Sequence, residues 1–432
     1  MLFDLLTIDD LGKLDRGRSR HRPRDDKSLY VGKYPFIQTG DVKHTPFYIT
    51  GYSQTYNEAG LSQSKLWNPG TLCITIAANI ADTAILNIKA CFPDSILGFI
   101  PYKNKSDVRF VKYCFDVYKT TLEAISKGTT QDNLSLDKLR KVKFKIPPLP
   151  IQRKIAAILS AYDDLIENNN RRIALLEKMA EELYREWFVR LRFPGYKKTK
   201  IVKGVPEGWE VKKIGDFIKF EKGKNPENLH YEKTEGHEIY LNVDAIENRN
   251  YQFAPLLKSI RCSDDETLML MDGARSSYVF NGLNGIVSST FAVVRTDKKL
   301  RHLIHEYFKA NIESMVSNNT GSAIPHANKE FIVRMCIKMP KDFSLITNFN
   351  EKYIAIYRQI KNLKQKRQLL TNIRDRLLSR LMSGKIDVEN LDIKFPKSMI
   401  EDDDGNRVSV RTEQCSVLTT NTALNTAGRK YE

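Results

Sequence analysis

The chain has 432 residues, 41% of them hydrophobic, with 69 Lys+Arg against 52 Asp+Glu and a formal net charge of +17. That is enough length for two or three cored domains, and a balance that points to a polyanionic partner rather than a small neutral one. No apolar run nears the roughly 18 to 20 residues of a membrane span, and Cys73, Cys91, Cys114, Cys262, Cys336 and Cys415 are widely spaced, with no CxxC pair and no signal peptide. A soluble cytoplasmic protein with reduced core thiols is expected.

Residues 1–149 mix short apolar runs, LCITIAANIADTAIL and SILGFIP, with turn signals such as Asn68-Pro69-Gly70, and hold one helix-like stretch from about Val108 to Ser126. This is the pattern of a strand-rich α+β domain. Near its start Arg16, Arg18, Arg20, Arg22 and Arg24 alternate between Asp15 and Asp25 with little apolar content. Residues 150–192 read as a long central helix: Gly and Pro are absent from Ile151 to Phe193, and Pro150 suits a helix start. At 1.5 Å per residue it reaches about 60 Å. Its series Ile155, Leu159, Tyr162, Ile166, Asn169, Ile173, Leu176, Ala180, Leu183, Trp187 alternates steps of four and three, an unbroken heptad seam.

Residues 193–342 repeat the strand-rich pattern, and residues 343–384 form a distal helix. Phe349, Tyr353, Ile356, Ile360, Leu363, Leu370, Leu377 and Leu381 take its seam positions, interrupted by Arg367 and Arg374. The two helices are expected to pair with each other as an antiparallel coiled coil, the alternative being a seam buried by a second copy of the chain. Asn169 either fixes the register as a lone amide or bonds water at the seam edge. Residues 385–432 turn acidic and then rich in Ser, Thr and Asn, the composition of a flexible tail.

The chain carries one succession of signals twice. GTTQDNLSLDKLRKVKFKIPPLP begins at Gly128 and GSAIPHANKEFIVRMCIKMPKDF at Gly321, 193 residues on, keeping Lys145/Lys338, Ile146/Met339 and Pro147/Pro340 in step. Upstream, TIDDLGKLDRGRS parallels VKKIGDFIKFEKGK with Gly17 matching Gly223, FIQTGDV resembles YLNVDAI, and PGTLCITIAAN resembles DETLMLMDGAR. A period this long is a duplicated domain. Two similar modules suggest contact with two similar objects at a fixed separation.

The usual signs of catalysis are missing. Pro147-Pro148 lacks the Asn or Asp of an amino-methyltransferase motif, and Gly384-Lys385 lacks the rest of a phosphate loop. Pro93-Asp94 begins a nuclease-like pattern with no acidic-x-Lys pair after it. His302 and His305, three apart, have no third ligand at metal spacing and read as a solvated helix face rather than a metal pair. No metal or cofactor site is expected in the chain.

The order of strand-rich domain, glycine loop, LDKLRKVKFKIPPLPIQRKIAAIL, long helix, VPEGWEVKKIGDFI, second loop and RLLSRLMSGKI resembles the specificity subunit of type I restriction-modification systems over roughly residues 1–390. The second copy departs in showing MPKDFSLITNF where Pro-Pro-Leu-x-x-Gln is usual, and no Pro-x-Gly-Trp precedes TIDDLG. The resemblance implies two target recognition domains, each reading half of a bipartite, asymmetric double-stranded DNA site, with the helices setting the unread spacer. It implies two methyltransferase subunits docked on the chain, flipping adenines for methylation, and motor-nuclease subunits joining them. S-adenosylmethionine, ATP and Mg would be bound by those partners. The alternatives are a cryptic nuclease within one domain, or a coiled-coil adaptor that binds only protein.

On that reading Arg16, Arg18, Arg20, Arg22 and Arg24 form a flexible arm against phosphates, or else a solvated loop. Lys222 and Lys224 hold the equivalent place in the second copy, and Thr129, Thr130 and Ser322 donate to phosphate from the glycine loops. Two-pronged hydrogen bonds to base edges are the business of amides and guanidinium groups. Candidates are Gln38, Asn79, Gln131 and Asn133 in the first domain, and Asn242, Arg275, Asn281 and His326 in the second; each reads alternatively as a turn residue.

Overall fold

A computed structural model of the chain describes residues 3–127, 134–247, 250–257, 259–395 and 399. The chain forms two compact units, one running to Asn168 and resuming at Arg367, the other Asn169–Lys366. Each holds one strand-rich module and part of both long helices.

In the first unit a five-stranded sheet has the order Gly12–Arg16, Ile96–Pro101, Leu72–Thr75, Thr83–Leu86, Tyr48–Ile49. A four-stranded sheet has the order Gln54–Tyr56, Tyr30–Phe36, Ala90–Cys91, Leu66–Trp67. Leu72–Thr75 is buried at every position because both its faces are covered. Leu72 and Ile74, with Leu97 and Phe99, pack on Phe110, Val111 and Cys114 of the helix Val108–Ser126, while Cys73, Ala84 and Ile96 face Trp67 and Phe92 on the other side. That helix starts where Asp107 accepts hydrogen bonds from the Arg109 and Phe110 amides.

The second unit repeats this plan. Its sheets have the orders Lys219–Lys222, Phe291–Arg295, Thr267–Leu270, Val279–Asn281 and Phe253–Pro255, His237–Leu241, Gly285–Val287, Arg261–Cys262. The four-stranded sheets match in every pairing, each with one parallel ladder, Phe36 beside Cys91 and Tyr240 beside Ile286, and the larger sheets match in three antiparallel pairings; among the described residues the parallel edge strand Tyr48–Ile49 beside Thr83–Leu86 belongs to the first unit alone. The strand after each glycine loop pairs antiparallel with a strand near the start of its own module, Ile146 facing Asp4 and Met339 facing Glu210. The duplication read from the sequence is thus a duplication of topology.

One internal match needs correction. Aligning PGTLCITIAAN with DETLMLMDGAR puts Leu72 with Leu268, yet Leu97 faces both Arg16 and Ile74, while Ala292 faces both Lys222 and Met269. The ladders therefore equate Cys73 with Leu268, one residue off. The cause is the following hairpin, in which Ile74 faces Thr83 but Met269 faces Val279, so the second copy holds one extra residue. Since strand side chains alternate in direction, the two readings differ in which face every residue takes.

The central helix spans Leu149–Tyr184, continued by a wider, π-type turn over Arg185–Val189. Buried Gln152 anchors its start, donating to the Lys105 and Pro147 carbonyls at 3.0 and 2.9 Å and accepting from the Asp107 amide at 3.1 Å. The distal helix spans Ser344–Met382. In both units they pair antiparallel. In the first, Ile155 and Leu159 share a core with Leu377, Leu378 and Leu381. In the second, Ile173 and Leu176 pack on Ile356, Ile360 and Leu363, and Leu183 and Trp187 join Phe349 and Tyr353. Tyr162, Ile166, Asn169 and Leu370 are half-buried, so none of the seam positions is exposed.

Arg374 breaks the seam for a reason. It reaches Asp163 at 2.9 Å, and Asp163 also accepts from the Tyr113 hydroxyl at 2.5 Å. Burial drives the Asp163 carboxyl above its ordinary range against the pull of Arg374.

The tail differs from expectation at its start. Val388 is fully buried, Ile386, Ile393 and Met399 pack on the first unit's core, and Lys154 donates to the Glu389 and Leu391 carbonyls at 2.8 Å. Apolar side chains spaced along 386–399 give this acidic stretch something to bury. Residues 400–432, with Cys415, lie outside the described residues. Cys73, Cys91, Cys114 and Cys262 are free thiols in cores, but Cys336 is exposed, its side chain on the open face of its strand.

Candidate nucleic-acid interface

The five arginines of the first module leave the end of the strand Gly12–Arg16, and the backbone that carries them is pinned. Gly17 donates to the Ile96 carbonyl at 2.9 Å and Arg18 to that of Phe92 at 3.0 Å. A Cβ on Gly17 would lie 2.2 Å from the Pro93 carbonyl oxygen, so only glycine permits this approach. Gln63 accepts from the Arg20 amide at 2.6 Å, and the Arg22 guanidinium donates to the Ser19 carbonyl at 2.7 Å. The flexible arm expected from composition is therefore an ordered segment, because side chains distant in sequence satisfy its backbone. Arg24 pairs with Asp94 at 2.6 Å, with Arg22 3.9 Å from the same carboxylate. Arg16, Arg18 and Arg20 are exposed and have no acidic partner among the described residues.

The second module places Lys222 and Lys224 in the same frame. Gly223 donates to the Phe291 carbonyl at 3.0 Å and Lys224 to that of Val287 at 3.2 Å, and a Cβ on Gly223 would meet the Val287 oxygen at 2.2 Å. Lys222 pairs with Asp272 at 3.0 Å, and the other carboxylate oxygen of Asp272 lies 2.8 Å from His326 Nδ1. Burial pushes the Asp272 carboxyl up, but the bonds from His326 and Lys222 outweigh it and hold the group below its usual range. The loop bearing His326 is itself tied down. Thr320 and His326 exchange backbone bonds at 2.9 and 2.7 Å, Gly273 donates to the Pro325 carbonyl at 2.9 Å, and Ala327 to that of Met271 at 2.8 Å. Gly321 turns with φ +87, and a Cβ there would lie 2.4 Å from the Ile324 oxygen. Ser322 is exposed in this loop.

The remaining candidates are more dispersed. Asn242 accepts from the Ala245 amide at 2.7 Å and so caps the short helix Val243–Glu247. Gln38 stands at the matching point before Thr39–His44, its amide nitrogen donating to Gln54 at 2.6 Å. Arg275, in the hairpin turn beyond Thr267–Leu270, pairs with Glu247 at 2.5 Å. Half-buried Asn79 lies in the corresponding turn of the first module, and exposed Asn281 on the strand leaving the hairpin. Thr129, Thr130, Gln131 and Asn133 lie outside the described residues. The structure thus joins Lys222 and His326 through Asp272, and Ser322 shares the loop of His326.

Sequence reading missed Asp272, Gln63 and Asp94 as the groups that organise the cations. Nothing local marks Asp272; it lies on a strand end whose partner in the first module is Ala77. The His302 and His305 pair proves internal to the second unit, not a solvated face: His302 stacks on Tyr353 of the distal helix, and burial drives His305, bonded to Thr267, down to about 3. Among the described residues no group of three His, Cys, Asp or Glu could hold a metal ion, and no helix is long and apolar enough to cross a membrane.

Comparison with known proteins follows the same two-fold division. The sequence is 24% identical over 421 residues to the type I restriction enzyme MjaIX specificity subunit of Methanocaldococcus jannaschii, covering 90% of this chain and 94% of that one. It is 33% identical over 140 residues to the MjaVIII specificity subunit of the same organism, 32% of this chain and 33% of that one. The fold is similar to the crystal structure of a type I restriction-modification system S subunit from M. genitalium, with TM-score 0.58 and 17% identity over 88% of this chain and 96% of that one. Residues 3–178 and 206–368, a stretch for each of the two modules, match the type I restriction modification DNA specificity domain, and the chain belongs to that family.

Proposed function

We propose that the chain is the non-catalytic DNA-reading subunit of a cytoplasmic type I restriction-modification complex, each module addressing one half of a bipartite, asymmetric double-stranded target. The observation that carries this is the repeated frame: two sheets whose first four strands follow the same order, each presenting a cation pair around the close backbone approach at Gly17 or Gly223. Arg16, Arg18, Lys222 and Lys224 are phosphate contacts on this reading, and the loops beginning at Gly128 and Gly321 supply base contacts. Different loop sequences imply different half-sites. The paired helices set the unread spacer and dock two methyltransferase subunits, which bring S-adenosylmethionine; motor-nuclease subunits would bring ATP and Mg. A hidden nuclease is disfavoured because Asp94, its sequence lead, is engaged by Arg24.

The test is to express the chain with its methyltransferase partner in a methylation-free bacterial host and map modified bases across the genome. A two-part motif with one methylated adenine in each half, lost when this chain is omitted, is expected. Co-purification of the two proteins without any motif would favour a protein-binding adaptor instead.

A further inference from the structure

The second module contains a side-chain array with no counterpart among the described residues of the first. One carboxylate, Asp272, holds two candidate DNA contacts at once: Lys222 at 3.0 Å through one oxygen and His326 at 2.8 Å through the other. They come from three separated stretches, the end of the strand Lys219–Lys222, the turn after Thr267–Leu270, and the loop from Thr320. His326 is fixed in backbone as well as ring, bridged antiparallel to both Asp272 and Thr320. Gly321 closes the loop so tightly that its added Cβ would come within 3.0 Å of His326 Cδ2. The imidazole nevertheless stays half exposed, at 49%. With Nδ1 engaged by the carboxylate, Nε2 is the nitrogen left for a ligand, and in the neutral ring it is an acceptor. The ladders equate Asp272 with Ala77, and Arg16, the counterpart of Lys222, has no acidic partner among the described residues.

We propose that Asp272 is a positioning residue for half-site recognition by the second module: it locks His326 so that Nε2 accepts a hydrogen bond from an exocyclic amino group on a base edge, and sets Lys222 beside it for the adjoining phosphate. The inference rests on the DNA-reading function proposed above. An acceptor in a fixed direction discriminates among bases, whereas a freely turning imidazole does so weakly, because the ordering cost then falls on binding. Tethering Lys222 to a carboxylate weakens its net phosphate attraction, which makes the array an element of specificity more than of affinity.

Methylation mapping with variants of the full chain, in complex with its methyltransferase partner, tests this. His326→Ala and Asp272→Ala are expected to relax the same single base position in one half of the motif, by about tenfold in discrimination, with the other half unchanged. Asp272→Asn retains an oxygen acceptor for Nδ1–H and should restore the wild-type motif. Lys222→Ala should lower methylation at all sites without altering the bases read. An unchanged motif in His326→Ala, relaxation at different positions in the two alanine variants, or Asp272→Asn behaving like Asp272→Ala would each overturn the proposal. Should Asp272→Ala fail to co-purify with the partner, His326→Ala and Asp272→Asn decide alone. A wild-type complex with no motif would instead remove the DNA-reading function itself.

Discussion

Arg374 shows how one side chain can look like a fault in the sequence and be a constraint in the structure. In the heptad pattern it is a charge where Leu belongs, but it neutralises Asp163, which lies beneath the Tyr113 hydroxyl. Removing one partner of a buried ion pair strands the other, so Arg374→Leu should destabilise the first unit by about 3 kcal/mol. Combining it with Asp163→Leu and Tyr113→Phe should recover most of the loss, as read by chemical denaturation followed through hydrogen exchange of the first unit's peptides. Gly17 and Gly223 carry a paired prediction: alanine at either site forces a Cβ onto a carbonyl oxygen at 2.2 Å, which should cost about 1–3 kcal/mol, confined to the unit that holds it. Glu266 supplies a pH dependence. Burial pushes its carboxyl up, but the Ser263 amide and Arg295 outweigh that and leave it lowered. A lowered acid stabilises the fold above its unfolded-state value and loses that contribution as pH falls through the folded one. Glu266→Gln should therefore flatten the melting-temperature profile of the second unit below about pH 4, leaving the first unit's profile as it was.

At the scale of elements, the long helices were legible almost to the residue, since periodicity and the absence of Gly and Pro act over many residues at once. So was the helix Val108–Ser126, and the repeated strand after each glycine loop. The hairpin register was not: apolar residues recur at both Leu72 and Leu268, and a strand covered on both faces gives no alternation to choose a face by. The arginine segment was misjudged as loose because its restraints, Gln63 and the Phe92 and Ile96 carbonyls, are tens of residues away. The stretch after Gly384 was misjudged for a related reason, its few apolar residues being diluted by acidic ones. Val388→Asp should place an unpaired charge in the first unit's core and lower its melting temperature by several degrees, while the second unit's midpoint stays fixed; equal shifts in both would contradict the assignment of this stretch to the first unit.

For the molecule as a whole, duplication makes the two units comparable experiments on one frame, and the contrast between Asp272 and Ala77 is visible only because the ladders equate them. Their chain paths are not comparable. The second unit is one continuous stretch, Asn169–Lys366, whereas the first needs residues on both sides of it. During synthesis the second unit's residues are all available before Leu377, Leu381 and Val388 leave the ribosome, so the module made first is the one completed last. Until then Ile155 and Leu159 have no distal helix to cover them, and the nascent chain carries an open apolar seam for as long as it takes to translate the other half of the protein.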